Sequence, residues 1–177
     1  LGLSTRSGWS ILDIGAGYGR LAHRLAESLG GLRKELCADA IAESTFLCEY
    51  YLQFRGASPR AQAVPLDAIE DALAGNHVDL AVNIHSFSEC SLASAGWWLD
   101  LLVRHDIERL MIVPNPDDHG GKRLLSREPD GSRLDLLPAL VERGYRLATG
   151  RPKYALPAVQ RHGVSPTHFY LFELPAT

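Results

Sequence analysis

Residues 11 to 21 of this chain read ILDIGAGYGRL, an apolar run that ends in Asp13 and leads directly into three alternating glycines. A helical pattern begins after the third glycine. This order predicts a buried strand, a tight turn and the start of a helix. Alternating glycines allow positive φ and close approach of a ligand to the main chain, and the helix N-terminus offers N–H groups and a positive dipole end.

The spacing of the glycines distinguishes two kinds of nucleotide-binding turn. A dinucleotide site uses G-x-G-x-x-G, and here Arg20 occupies the place of the third glycine, which disfavours a dehydrogenase. The sequence D-x-G-x-G-x-G instead resembles motif I of the class I S-adenosylmethionine (SAM) methyltransferases. The resemblance implies that Gly15, Ala16 and Gly17 pass beside the methionine part of the cofactor, with Asp13 near its ammonium group. An ordinary strand-to-helix turn is the alternative.

Strands and helices alternate along the rest of the chain. We predict strands at 10–14, 35–38, 61–66, 78–83, 109–113, 145–150 and 167–174, and helices at 19–29, 41–55, 68–73, 92–104 and 134–143. Alternation predicts an α/β, Rossmann-like three-layer sandwich around a mostly parallel sheet. No helical pattern separates the last two strands, so they can pair antiparallel. This ending resembles the seven-stranded sheet of the same methyltransferases, in which the last strand is antiparallel.

Hydrophobic spacing also predicts which helix faces are buried. Leu21, Leu25 and Leu29 lie on one face of the first helix. In the second helix, Phe46 and the aromatic residues four and eight positions later (Tyr50 and Phe54) are expected to belong to the core. The length of 177 residues suits a single domain. We expect a further segment before Leu1, because the first strand begins so early.

The composition of the chain limits which partners and which cellular compartment we expect for it. The chain carries 18 basic and 21 acidic residues, a net charge of −3, which argues against a broad nucleic-acid or membrane footprint. No apolar run approaches the roughly 20 residues of a membrane span, and no signal-peptide pattern opens the chain. Cys37, Cys48 and Cys90 form no C-x-x-C pair, so we expect reduced thiols in a cytoplasmic protein.

Ligands of open α/β sheets bind at the carboxyl ends of the strands. Asp39 ends the second predicted strand, where a carboxylate can accept two ribose hydroxyls or, alternatively, cap the next helix. Asp67, after the third strand, is expected either near the adenine or as a helix cap. The full set of expected cofactor-binding residues is Asp13, Gly15, Ala16, Gly17, Asp39, Ala40, Leu66, Asp67, Asn83 and Ile84.

The polar segment after the fourth strand, NIHSFSE at 83–89, is the expected catalytic region. Together with Trp97-Trp98, Pro114-Asn115 and segments 11–25, 39–44 and 50–56, it resembles the sugar O-methyltransferase family. A sugar hydroxyl is a poor acid, so a base is useful, and His85 has a suitable pKa range for that role. Glu89 is expected to orient His85 or to act as the base. Either residue could instead serve only the loop or the next helix.

Two further expectations concern the acceptor side. Asp117, Asp118 and His119 could hold a divalent cation with Glu89, but a solvated acidic turn is favoured, so no metal site is assigned. Trp97 and Trp98 point about 100° apart on a helix, so one is core and the other is a platform for a sugar ring or further packing.

The resulting hypothesis is a SAM-dependent O-methyltransferase acting on a sugar or glycosylated small molecule, with no nucleic-acid or membrane partner. A homo-oligomer is left open. Two alternatives remain: a methyltransferase for another small molecule, and a catalytically silent SAM-fold binding module of a larger protein.

Overall fold

A computed structural model describes residues 8–116 and 121–175 of the chain. The strands are β1 (Trp9–Ile14), β2 (Leu32–Ala38), β3 (Ala61–Val64), β4 (Leu80–Ile84), β5 (Arg109–Val113), β6 (Arg146–Pro152) and β7 (His168–Glu173). The helices are α1 (Arg20–Ser28), α2 (Ala42–Phe54), α3 (Ile69–Ala74), α4 (Leu92–Arg104), α5 (Leu137–Glu142) and α6 (Pro157–His162). Short 3₁₀ turns occupy Leu66–Ala68 and Ser86–Ser88.

The seven strands have the order β3-β2-β1-β4-β5-β7-β6. β1 pairs parallel with β2, and β2 pairs parallel with β3. β7 runs antiparallel to both of its neighbours, β5 and β6. The predicted fold class is therefore confirmed, including the antiparallel last strand. The prediction that no helix separates β6 from β7 is wrong, because α6 occupies this connection.

The chain divides within β4 into two compact units, Leu1–Val82 and Asn83–Thr177. In the first unit, Ile11, Leu12 and Ile14 of β1 are all buried, and Leu36 and Leu52 pack as deeply from β2 and α2. Successive residues of a strand point to opposite faces of the sheet, so the burial of both Ile11 and Leu12 shows that β1 is covered on both faces, as is typical of parallel sheets. The expectation that all 177 residues form a single domain stays a prediction.

Two predicted helix faces are wrong in part. In α1 the deepest residues are Ala22, His23 and Ala26, while Leu21 and Leu25 are only half-buried. Two of these three buried residues are alanines, whose small side chains allow α1 to lie close to β2 and β3.

In α2 the buried residues are Cys48 and Leu52, and the aromatic residues spaced by four face outward; Phe46 is 68% exposed. The aromatic residues do share one face of α2, as their spacing predicts, but the prediction that this face is buried is wrong. The opposite face, with the smaller side chains of Cys48 and Leu52, is the buried one.

The second unit has its own core around α4, β5 and β7. Leu99, Leu101 and Leu110 are fully buried, and the buried hydroxyl of Tyr145 donates to the Ile107 carbonyl at 2.6 Å. Of the two adjacent tryptophans, Trp98 is buried and Trp97 is exposed. The prediction that one of them belongs to the core is confirmed, and the role of Trp97 as a sugar platform stays a prediction. No helix within the described residues has the length and apolar character that a bilayer crossing demands.

Candidate cofactor site and catalytic loop

The turn between β1 and α1 has the backbone that its glycines predict. Gly15, Gly17 and Gly19 have φ of 76°, 55° and 84°, in the left-handed region where glycine is favoured. A Cβ placed on Gly17 would meet nothing within 4 Å, so this side of the turn is open. A Cβ on Gly19 would lie 2.8 Å from the Cys48 sulfur. Gly19 therefore lets the turn pack tightly against α2.

The N–H groups of the turn are used within the protein. Those of Gly15 and Ala16 donate to the Ala38 carbonyl at 2.8 and 3.1 Å, and that of Gly17 donates to Asp39 Oδ2 at 2.9 Å. The register that pairs Ile14 with Ala38 places the end of β2 beside the turn. These three donors are therefore not offered to a ligand, contrary to what the sequence pattern alone indicates.

Asp39 ties the turn to the start of α2. Its Oδ2 accepts from Gly17 and its Oδ1 accepts from the Ile41 N–H at 2.9 Å, in a half-buried position. The carboxylate thus faces the glycine turn and holds the residue before α2, but it does not cap α2, whose N-cap position is Ile41. A contact of Asp39 with ribose hydroxyls stays a prediction. Each oxygen accepts only one of these bonds and has a second lone pair.

A cavity of about 510 Å³ opens beside Asp39. Its lining comes from the ends of β2 and β3 and from the first two turns of α2: Asp39, Ala40, Ala42, Thr45, Phe46, Glu49, Pro65, Leu66 and Asp67. The cavity is large enough for a nucleoside-sized ligand. Four expected cofactor-binding residues (Asp39, Ala40, Leu66 and Asp67) are therefore brought together. Asp67 lines the cavity and does not cap α3, whose N-cap position is Ala68.

Phe46 belongs to the cavity, although sequence reasoning assigned it to the core. It lies one turn into α2 and is one of the apolar residues that line the cavity. Its spacing from Tyr50 and Phe54 is compatible with either a buried or a surface face, so no sequence signal separated the two possibilities. The cavity lining does not include Asp13, Gly15, Ala16 or Gly17.

Asp13 lies below the turn, only 3% exposed. Burial, and after it the negative charge of Asp39, raises the pKa of Asp13 from 3.8 to about 7. Glu35 lies on the same face of the sheet, since Asp13 pairs with Cys37, two residues further along β2. Burial, followed by the charges of Asp13 and Cys48, raises the pKa of Glu35 from 4.5 to about 9. A contact of Asp13 with an ammonium group stays a prediction.

The end of β4 is shaped by Asn83. This side chain is fully buried, and its Oδ1 accepts from the Phe87 N–H at 2.9 Å. Asn83 therefore holds the turn that follows it, and its expected role in cofactor binding stays a prediction. Ile84, the last residue of β4, is half-buried.

His85 begins the 3₁₀ turn in an unusual backbone conformation, with φ 71° and ψ −33°. Its N–H donates to the Val113 carbonyl and its own carbonyl accepts from the Ser88 N–H, both at 2.8 Å. A non-glycine residue in such a conformation costs about 1–3 kcal/mol and is typical of functional sites. The side chain is half-buried at the carboxyl end of β4.

Glu89 is exposed and is held by Asn115. Its Oε1 accepts from Asn115 Nδ2 at 3.0 Å, and the Asn115 N–H donates to the Ser88 hydroxyl at 3.1 Å. The loop after β5 is thus fastened to the loop that carries His85. Asp117, Asp118 and His119 lie outside the described residues. Within residues 8–116 and 121–175, no group of three His, Cys, Asp or Glu side chains could hold a metal ion.

No protein-family model matches this chain, and no curated protein is significantly similar to it. Solved structures share its fold. A SAM-dependent methyltransferase from Aquifex aeolicus is 17% identical with a TM-score of 0.67, over 96% of this chain and 84% of that one. The [4+2]-cyclase SpnF is 15% identical with a TM-score of 0.68, over 98% and 78%.

The Bacillus subtilis m1A22 tRNA methyltransferase TrmK is 11% identical with a TM-score of 0.64, and this chain spans 61% of its length. Identities this low establish the fold alone. The chain has the Rossmann-like fold of the SAM-dependent methyltransferases.

Proposed function

We propose that this chain is a SAM-dependent methyltransferase that transfers a methyl group to a hydroxyl of a sugar or glycosylated small molecule. The observation that carries the proposal is Asp39, whose carboxylate holds the glycine turn on one side and lines the 510 Å³ cavity on the other.

The chemistry of the cavity fits the nucleoside part of SAM. Asp39 has lone pairs for ribose hydroxyls, and Asp67 can accept from an adenine amine. Leu66 and Phe46 offer apolar surface to the faces of a purine. These side chains come from three elements, so a bound nucleoside would be contacted from several sides.

Charge favours SAM over a dinucleotide. Asp39, Glu49 and Asp67 all line the cavity. A pyrophosphate would meet this set of carboxylates without the N–H groups of Gly15, Ala16 and Gly17, which are already used. A cationic sulfonium compound is attracted by the same carboxylates.

When bound, SAM supplies an electrophilic methyl group on a good leaving group. The chain must then orient the acceptor hydroxyl and remove its proton. We assign proton removal to the His85 imidazole, which the strained turn presents at the carboxyl end of β4. Glu89, held by Asn115, serves as a polar partner for the acceptor. Both assignments rest on position and chemistry.

Calorimetry with SAM and with NAD tests the cofactor. We expect micromolar binding of SAM, no measurable binding of NAD, and at least tenfold weaker SAM binding by Asp39→Ala. Asp71→Asn, a change in the first turn of α3, is the matched control and should bind as the unmodified chain does. NAD binding, or undiminished SAM binding by Asp39→Ala, would contradict the assignment.

The acceptor is tested separately by following SAM consumption over a panel of sugars and glycosides. His85→Ala should bind SAM normally and lose at least a hundredfold in turnover. Binding of SAM without transfer to any hydroxyl compound in the panel would favour the silent binding module.

A further inference from the structure

The charge of this chain is unevenly distributed. The net charge is −3, yet the segment from Arg143 to Phe172 contains five Lys and Arg residues and no Asp or Glu. The segment comprises β6, α6 and most of β7. The net charge of the whole chain conceals this positive region. The sequence-based argument against a nucleic-acid partner depended on that net charge alone.

β6 is the edge strand of the sheet, and every one of its seven residues is exposed. Its pairing with β7 places Arg146 opposite Glu173 and Arg151 opposite Phe169. Glu173 and Phe169 are four positions apart on β7 and therefore point to the same face. Their partners Arg146 and Arg151 lie on that face too, with Phe169 beside Arg151. Glu173 is engaged by Arg109 at 3.3 Å, so that acid does not neutralise the face.

The connection between the two strands is ordered and adds a further cation. Lys153 Nζ donates to the carbonyls of Val164 and Ser165, both at 3.2 Å, and the Tyr154 hydroxyl donates to Val164 at 2.7 Å. Lys153 is thus used to shape the connection. Arg161, in the last turn of α6, is exposed.

The hairpin is fastened to the loop after β5 in the same unit. The Thr167 hydroxyl donates to the Pro114 carbonyl at 2.6 Å, and the Lys153 N–H donates to the Thr167 carbonyl at 2.8 Å. The residue before Pro114 accepts from the His85 N–H. The connection between β6 and β7 therefore lies at the same end of the sheet as the candidate general base, whereas Arg146, opposite Glu173, lies at the other end, beside Arg109.

We propose that the basic strip, defined as Arg146, Arg151 and Phe169, binds a single-stranded nucleic acid. Arg146 and Arg151 pair with β7 residues that are four positions apart, so about 14 Å of strand separates them. This distance is too great for one phosphate group, so a ligand that engages both guanidinium groups must carry phosphates in series. Guanidinium groups bind phosphodiester oxygens in pairs of hydrogen bonds, and the exposed ring of Phe169 offers a stacking surface for a base.

This surface goes beyond the proposed function. Binding depends on side chains of the second unit and requires neither SAM nor methyl transfer. The two claims can therefore fail separately.

The test is fluorescence anisotropy with a labelled 20-nucleotide RNA and with DNA of the same sequence, titrated at several salt concentrations. Arg146→Glu/Arg151→Glu should weaken binding at least tenfold and reduce the slope of log K against log salt by about 1.4, as expected for the loss of two phosphate contacts on a single strand. Phe169→Ala should weaken binding roughly tenfold with little change in slope.

The matched control is Arg24→Glu/Arg60→Glu, which changes the net charge equally in the first unit and should leave binding within about twofold, since only long-range charge differs. Arg146→Lys/Arg151→Lys should retain most of the salt slope. An unchanged circular dichroism spectrum and an unchanged midpoint of thermal unfolding verify that the Glu variants are folded. Equal affinity of both Glu variants, or equally effective competition by polyglutamate, would overturn the proposal.

Discussion

Glu35 offers a sharp test of how the first unit is stabilised. Its side chain is 0% exposed, and neither carboxylate oxygen has a hydrogen-bond partner. Burial is the largest cause that raises its pKa from 4.5 to about 9. The folded chain therefore keeps Glu35 protonated at neutral pH, whereas the unfolded chain ionises it.

The sign and size of the effect follow from this difference. Between pH 4.5 and about 9 the folded state binds more protons at Glu35 than the unfolded state does, so the free energy of unfolding falls as pH rises. The contribution of Glu35 is complete below pH 4.5 and is lost progressively, by about 1.4 kcal/mol for each pH unit, up to the folded pKa. At pH 7 the loss amounts to about 3 kcal/mol.

Glu35→Gln keeps the shape of the side chain and removes its titration. We expect the stability difference between the variant and the unmodified chain to increase in favour of the variant by about 4 kcal/mol between pH 5.5 and 8.5. Urea denaturation at a series of pH values measures it. Taking the difference at each pH removes the part of the Asp13 contribution that the two chains share. Glu43→Gln, in the exposed first turn of α2, is the control and should show no such trend. A difference for Glu35→Gln that is constant with pH would refute the reasoning.

Three further predictions concern the turn and the catalytic loop. Asp39→Ala removes the acceptor of two backbone N–H groups and should lower the free energy of unfolding by about 1–3 kcal/mol in denaturant titrations; an unchanged midpoint would contradict it. Gly19→Ala combines φ +84° with a Cβ 2.8 Å from the Cys48 sulfur and should cost more than Gly8→Ala, which has the same φ and open space. Equal losses would show that the turn relaxes away from α2. His85→Gly relieves φ 71° and should stabilise the fold by about 1 kcal/mol while abolishing turnover; destabilisation would show that the imidazole is structural.

The glycine turn and the order of elements were predictable from the sequence because they depend on local rules. Positive φ at three alternating glycines and an apolar strand before them need no knowledge of distant residues. The position of Asp39 at a strand end likewise follows from counting along one β-α-β unit.

The faces of α2 were not predictable in the same way. A periodic apolar stripe indicates which residues share one face of a helix, but the elements that pack against the helix decide whether that face is buried. Here Cys48 and Leu52 meet the core, and Phe46 becomes part of a ligand cavity. The basic strip is a similar case, since the pairing of β6 with β7 brings Arg151 beside Phe169.

The sequence by itself determined the strand–turn–helix at residues 11–21, the α/β class and the acid at the end of β2, because each is encoded by neighbouring residues. Only the tertiary structure decided how the turn's N–H groups are used, which side chains line the cavity, and that Glu35 is buried without a partner. Those properties depend on residues that are distant in the chain and become neighbours only when the sheet forms.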